Sequence, residues 1–258
     1  MEKMTLRIVP VSALRDNYIW ALCSGTYCWL VDPGEAAPAE AFLAREGLIL
    51  GGILLTHRHA DHQGGVAELL TTRSCPVLGP ISPAIPAVTC PLRGGEKIEL
   101  AGLPGLATIF ATPGHTEEHI AYLWQGALFC GDTLFAGGCG RLLGGTAPQL
   151  HASLQMLANL PGDTRICCAH EYTLSNLAFA AAVEPANLAI ARRRAHCETL
   201  RSEAHPTVPS HLRDELETNP FLRCDQPAVR QAVEARVGHS LEEPLEVFTA
   251  LRGWKDSF

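Results

Sequence analysis

Thr56-His57-Arg58-His59-Ala60-Asp61-His62 sets three histidines and an aspartate into one short run. A packed core does not hold so many polar groups without partners, and a surface loop gains nothing from them. The spacing is H-x-H-x-D-H. Side chains two apart in an extended segment point the same way, so His57 and His59 can grip one ion. Asp61 and His62 follow where the chain turns into a helix, placed to face a second ion. Neutral imidazole suits zinc, iron and manganese, and carboxylate suits the harder members of that set.

Such a centre needs more donors than one turn supplies. Three stand further along, each just past a strand-like run. His115 lies in TPGHTEEH after Leu106–Ala111, Asp132 in FCGDTLF after Ala127–Cys130, and His170 in CCAHEYT after Ile166–Cys168. Gly114 and Gly131 let the backbone turn tightly beside two of them. Taken singly, each residue has a plainer reading: a satisfied histidine at a strand end, or an aspartate capping a helix or turn. Taken together, the seven point to a metal centre on one edge of a sandwich. His119, His151, His196, His205, His211 and His239 keep the plainer reading, because nothing in the sequence clusters around them.

Working outward, the first two-thirds reads as strands with short connections. Leu6–Val11 alternates loosely; Tyr18–Leu22 and Tyr27–Val31 flank Ser24-Gly25-Thr26, a hairpin signal. Glu35–Glu46 has helical spacing. Gly52–Leu55 is a short buried strand that runs into the histidine cluster, and Gln63–Leu70 resumes as a helix. Further strands are expected at Lys97–Leu100, Leu106–Ala111, Ile120–Trp124, Ala127–Cys130 and Ile166–Cys168. Two groups of strands, each followed by helical segments, suit an α/β chain with two sheets face to face and helices outside. After Tyr172 the strand-like runs stop. Leu174–Val183, Asn187–Ala204, Leu212–Leu216, Pro227–Val237 and Pro244–Leu251 read as helix or loop, punctuated by prolines. The expected division is residues 1–172 as the catalytic domain and residues 173–258 as a smaller helical domain.

The bulk properties exclude other classes. The chain has 258 residues, 47% hydrophobic and 18% charged, an ordinary folded composition. Its net charge of −7 argues against nucleic acid or an anionic membrane as a partner. No apolar run reaches the ~18–20 residues of a membrane span, and MEKMTLRIVPV lacks the features of a signal peptide, so a cytoplasmic location is expected. The 10 cysteines include no CxxC pair, and several sit in apolar runs, among them Cys23, Cys28, Cys130, Cys167 and Cys168. They read as reduced, buried thiols.

The stretches THRHADH, TPGHT, GDTLF and AHEYT, in this order, resemble the metallo-β-lactamase superfamily. DNYIW at 16–20, VDPG at 31–34, GDTLFAGGCGR at 131–141, HEYTLSNLAFA at 170–180, NPFLR at 219–223 and LRGWKDSF at 251–258 are similar to the bacterial glyoxalase II, or hydroxyacylglutathione hydrolase, family. The likeness spans the whole chain. It implies an αββα sandwich, the metallo-β-lactamase fold, with a C-terminal helical domain. It implies two divalent metal ions per chain, zinc first and iron or manganese also suited. His57, His59 and His115 would hold one, Asp61, His62 and His170 the other, and Asp132 would bridge them. A hydroxide between the metals would attack a thioester carbonyl, with Asp61 orienting it or relaying its proton. The implied reaction is S-D-lactoylglutathione, or another S-(2-hydroxyacyl)glutathione, plus water to a 2-hydroxy acid (D-lactate) and glutathione, the second step of methylglyoxal detoxification.

The family's glutathione contacts correspond here to Arg141, Tyr172, Arg252 and Lys255. One departure stands out: some members carry an aromatic residue two positions after the first of these, where this chain has Leu143. A leucine cannot donate a tyrosine's hydrogen bond, so weaker glutathione binding is expected. The expected partner is a small glutathione thioester, with no nucleic acid, no membrane and a monomeric chain. Competing readings are a lactonase or a thioesterase for another thiol, a sulfur-oxidising iron dioxygenase of the same fold, and a non-catalytic scaffold. The basic C-terminal pair and the complete set of seven donors argue against them. No G-x-S-x-G nucleophile elbow is present.

Overall fold

The computed structural model describes residues 6–258. They group into two compact units: residues up to Ala111 with Glu118–Gly131, and Thr112–Glu117 with Asp132–Phe258. Among the described residues no helix is long and apolar enough to cross a membrane.

In the first unit β1 (Leu6–Ala13), β2 (Asn17–Ser24) and β3 (Tyr27–Val31) run antiparallel. β4 (Ile49–Leu54), β5 (Val77–Pro80) and β6 (Cys90–Leu92) extend that sheet in parallel. A parallel neighbour demands a crossover, and α1 (Ala36–Glu46) supplies it between β3 and β4. Two single-turn helices follow β4: α2 (Ala60–Gln63) and α3 (Val66–Leu69). Then β7 (Lys97–Glu99), β8 (Leu106–Ala111), β9 (Ile120–Trp124) and β10 (Ala127–Gly131) form an antiparallel meander. The expected β2–β3 hairpin is present: Ser24 pairs with Tyr27 across a two-residue turn, and Gly25 takes the positive φ of 57° that its first position requires.

β2 is buried along its whole length, so both faces of the first sheet are covered there. On the outer face Ile19, Ala21, Cys23, Cys28 and Leu30 pack with Ala39, Phe42 and Leu43 of α1 and with Val66 and Leu69. On the other face Trp20 meets Phe129 of β10 edge-on at 6.2 Å. The Tyr122 hydroxyl of β9 donates to the Leu55 carbonyl at 2.7 Å, and the Ile120 amide donates to the Thr56 carbonyl at 2.9 Å. These bonds pin the segment that leads directly into His57.

In the second unit β11 (Leu134–Phe135) and β12 (Gly138–Cys139) make a tight hairpin, followed by α4 (Ala147–Ala158). β13 (Arg165–Cys168) pairs antiparallel with the two-residue β14 (Ser210–His211). The remaining elements are helices: α5 (Thr173–Val183), α6 (Leu188–Ser202), α7 (Leu212–Thr218), α8 (Pro227–Val237) and α9 (Pro244–Asp256). Phe221 stacks on Phe179 at 6.0 Å and meets Phe248 edge-on at 5.8 Å. Glu215, fully buried, accepts the Gly137 amide at 2.7 Å and the Ser210 hydroxyl, and pairs with Arg193. The Asn219 side-chain amide donates to the carbonyls of Gly138 at 2.9 Å and Phe135 at 3.2 Å. The helical tail thus holds the β11–β12 hairpin, which begins two residues after Asp132.

Three expectations change. The helix expected over Gln63–Leu70 is broken, because Gly64 and Gly65 lie against backbone: a Cβ on Gly65 would stand 2.5 Å from the Ala36 nitrogen. Strands do not stop at Tyr172, since β14 completes a pair with β13. Helix α4, with β5 and β6, was not anticipated, although Thr146 and Gln149 form a reciprocal capping box at the start of α4.

Candidate metal centre

In the first unit the chain leaves β4 extended and delivers His57 and His59 side by side. His57 Nε2 is 3.0 Å from His59 Nδ1. One turn on, His62 Nε2 lies 3.4 Å from Asp61 Oδ2, and the rings of His57 and His62 are 4.1 Å apart. His57 thus lies beside both His59 and His62, and Asp61 beside His62.

The polar groups behind these rings determine where their lone pairs point. Asp32 accepts the Thr56 amide at Oδ1 (2.8 Å) and the Thr56 hydroxyl at Oδ2 (2.7 Å). Having given its proton to Asp32, the Thr56 oxygen can only accept from His57 Nδ1, 3.0 Å away. Asp32 Oδ2 also takes His62 Nδ1 at 3.0 Å. Each Nδ1 therefore carries the proton, leaving each Nε2 as an electron-pair donor. That tautomer is the one a metal-ligating histidine needs. Asn17 Nδ2 donates to Asp61 Oδ2 at 3.0 Å, and Arg58, between the first two histidines, pairs its guanidinium and its amide with the Glu118 carboxylate.

The DPG turn after β3 supports the same loop. Gly34 passes so close beneath Asp61 that a Cβ would stand 1.8 Å from the Asp61 carbonyl oxygen. His119 is buried and stacks on His57 at 4.8 Å, so the expectation that nothing clusters around it is corrected. Its signal was available in the sequence only as a histidine four residues after His115, a spacing with no meaning until the chain folds. Asp32 and Asn17 were missed for the same reason: each lies at the end of an apolar stretch and acquires its partner from a distant segment.

The second unit carries the other three donors. Asp132 stands between two histidines, with Oδ2 3.4 Å from His115 Nε2 and Oδ1 3.4 Å from His170 Nε2. His115 Nδ1 is 2.8 Å from the Arg141 carbonyl, so its Nε2 is again the donor atom. Gly114, at φ 144°, lies against Leu150, and a Cβ on Gly140 would stand 2.0 Å from the Asp132 carbonyl. The ring of Tyr172 stacks on His170 at 4.6 Å, nearly parallel, and Phe135 meets both edge-on.

The chemistry of the candidate set fits divalent metals: imidazoles, those of His57, His62 and His115 with tied Nδ1 positions, and carboxylates, with no thiolate among them. Among the described residues, His57, His59, Asp61 and His62 of the first unit and His115, Asp132 and His170 of the second each belong to groups of side chains that could hold an ion. Among the described residues no cysteine belongs to these groups. Burial pushes the Cys139 thiol up to about 11 and that of Cys168 to about 12, which favours the protonated form of both.

The four residues expected to hold glutathione are placed differently from one another. Arg141 is exposed and Tyr172 half-buried. Arg252 is buried: Nη1 donates to the Cys139 carbonyl at 3.0 Å, Nη2 pairs with Asp256 at 3.0 Å, and the guanidinium lies over the Phe221 ring. Lys255 is half-buried, its ammonium over the rings of Phe179 and Phe258. Burial first, then the Arg252 charge, lowers its pKa. Leu143 is half-exposed, and its amide donates to the His115 carbonyl at 2.8 Å.

Residues 14–170 match the metallo-beta-lactamase superfamily, and residues 171–258 match the hydroxyacylglutathione hydrolase C-terminus. A hydroxyacylglutathione hydrolase of Halorhodospira halophila is 52% identical over 250 residues, 96% of this chain and 98% of that protein. The solved structure of ETHE1 from Myxococcus xanthus shares the fold, with a TM-score of 0.63, 22% identity, and coverage of 98% of this chain and 99% of that one. That of TTHA1623 in a di-iron-bound form aligns with a TM-score of 0.54 and 32% identity over 63% of this chain and 91% of that one. With both halves of its length matched and a relative half identical across nearly the whole chain, the chain belongs to the hydroxyacylglutathione hydrolase family of the metallo-beta-lactamase superfamily.

Proposed function

We propose that the protein hydrolyses S-(2-hydroxyacyl)glutathione thioesters, S-D-lactoylglutathione foremost, to the 2-hydroxy acid and glutathione, the second step of methylglyoxal detoxification. The observation that carries this reading is the donor set, four residues on one turn and three at separate strand ends, in a chain half identical to named hydroxyacylglutathione hydrolases. His57, His59 and His115 would hold one divalent ion, Asp61, His62 and His170 a second, with Asp132 shared. Zinc is the first choice, and iron and manganese suit the same donors; the related di-iron structure supports a two-metal reading. When bound, such a pair supplies Lewis acidity toward the carbonyl oxygen and a water acidic enough to ionise near neutral pH.

The chain's own residues do the rest. Asp32 and the Arg141 carbonyl keep the imidazoles in the ligating tautomer. Asp61, steadied by Asn17, orients the attacking water and takes its proton. Water adds to the thioester carbon, the tetrahedral species collapses, the C–S bond breaks, and the glutathione thiolate leaves and is protonated. Arg141, Tyr172, Arg252 and Lys255 form the glutathione subsite, opposing the two carboxylates of glutathione. Arg252 acts from beneath, through the Cys139–Gly140 backbone it holds. Residues 1–172 serve as the catalytic domain and residues 173–258 as the substrate-binding one, in a cytoplasmic monomer.

The test is kcat/KM on S-D-lactoylglutathione beside the same acyl group on a small thiol lacking the two carboxylates. A strong preference for the glutathione ester, abolished by chelation and restored by zinc, is expected. Equal turnover of both would leave a metal hydrolase and remove the glutathione assignment.

A further inference from the structure

We propose that Cys23 and Cys28 are a modification site: a buried dithiol that hydrogen peroxide converts into a cross-strand disulfide between β2 and β3. The two residues face each other in the β2–β3 register, and their Sγ atoms are 3.7 Å apart. The two-residue turn makes Ser24 and Tyr27 the hydrogen-bonded closing pair, so the next pair along is a non-hydrogen-bonded one. Opposed Cα atoms in that class approach to about 4.5 Å. A disulfide spans Cα separations of roughly 4.4–6.8 Å. Joining the sulfurs therefore requires rotation of two side chains and no movement of the strands.

A cation completes the arrangement. Arg7 on β1 is the cross-strand partner of Cys23, so Arg7, Cys23 and Cys28 form one row across three strands, on one face of the sheet. The Arg7 guanidinium is held by Glu46 of α1 at 2.9 Å. Arg7 is the cross-strand neighbour of Cys23 and not of Cys28, so its charge favours the thiolate of Cys23, while burial raises the pKa of Cys28. The position of Arg7 beside Cys23 makes Cys23 the sulfur that attacks first. Both thiols are covered, and β1 is the edge strand of its sheet, so the proposal places the oxidant's access at local opening of that edge. None of the seven metal donors takes part.

The chemistry balances in two steps. The Cys23 thiolate attacks one peroxide oxygen, the O–O bond breaks, and hydroxide leaves and is protonated, giving a sulfenic acid and water. Cys28 sulfur then attacks the Cys23 sulfur. The S–O bond breaks, hydroxide leaves with the Cys28 proton as a second water, and the S–S bond forms. Two thiols are oxidised and one peroxide is reduced.

The experiment treats the metal-loaded, full-length protein with graded hydrogen peroxide, then denatures, alkylates and digests it with trypsin for mass spectrometry. The peptide from Asp16 to Arg45 carries these two cysteines and no other. Exposed Cys90 reports the oxidant dose. The expected result is that this peptide loses two hydrogens and resists alkylation at both sulfurs, and that dithiothreitol reverses both changes. In Cys28→Ser the Cys23 sulfur is expected to gain oxygen instead. Full alkylation of both sulfurs at doses that consume Cys90, or over-oxidation of either without a disulfide, would leave two inert core thiols and overturn the proposal.

Discussion

Asp32 Oδ2 lies 3.0 Å from His62 Nδ1 and 2.7 Å from the Thr56 hydroxyl, so one buried carboxylate sets the tautomer of two donor histidines, His62 directly and His57 through Thr56. Asp32→Asn keeps the shape and loses the second acceptor. Loss of such a supporting group commonly costs about 10–100-fold in metal affinity. The expected outcome is a fall of that size, read by competition with a chromogenic chelator, with kcat falling unless excess zinc is present. Unchanged metal affinity would remove Asp32 from the site.

Gly34→Ala tests the close passage under Asp61. A Cβ 1.8 Å from a carbonyl oxygen cannot be accommodated without moving the loop that carries the donors. Gly47→Ala is the comparison: its φ is 64°, but no atom stands near the added methyl, so only the backbone cost of about 1–2 kcal/mol applies. Gly34→Ala should lose both activity and bound metal, and Gly47→Ala should lower Tm alone.

Leu143→Tyr should strengthen the hold on glutathione. A single neutral hydrogen bond contributes roughly 0.5–1.5 kcal/mol, or about two- to tenfold in KM. A KM that stays the same or rises would show that this half-exposed position does not reach the substrate.

Arg252→Met separates scaffold from subsite. The substitution removes a buried, charge-assisted donor from the Cys139 carbonyl, a loss of about 1.5–3 kcal/mol. For a chain of this size that is a Tm lower by roughly 5–10 °C. A rise in KM without any change in Tm would instead make Arg252 a direct substrate contact.

Lys255 gives a pH signature. Its folded pKa is lowered, by burial and then by Arg252. The ammonium therefore costs stability in full below that folded pKa, and stability rises with pH through the window up to the ordinary lysine value. Binding has the opposite dependence: an S-alkyl glutathione should bind less tightly as pH rises through the lowered pKa, earlier than for an ordinary lysine. Calorimetry across pH 7–10 checks this, and Lys255→Arg should remove the dependence, since guanidinium stays charged throughout.

The sequence revealed most where chemistry and period coincide. H-x-H-x-D-H put four metal-ligating side chains on one short turn, and the apolar runs Tyr18–Leu22 and Tyr27–Val31 on either side of Ser24-Gly25-Thr26 signalled the hairpin that is present. What stayed hidden is short or non-local. β5 and β6 have four and three residues, too few to carry a period, and both contain proline. The break between α2 and α3 is set by backbone from the DPG turn, which lies thirty residues earlier in the chain. Asp32, Asn17 and His119 look like ordinary strand-end residues until distant segments reach them. α4 was the avoidable miss, since Thr146 and Gln149 have capping-box spacing.

Glu215 and Asn219 belong to the tail that matches a separate family segment, yet their partners are Gly137, Phe135 and Gly138 of the β11–β12 hairpin. A chimaera joined at the boundary between the two matched segments would inherit a hairpin from one parent and its buried acceptor and donor from another. The natural crossover point for recombining relatives is therefore before Asp132, so that hairpin and tail travel as one inherited block. Shortening the chain to its first 172 residues would likewise strip three backbone groups of their partners beside a metal donor.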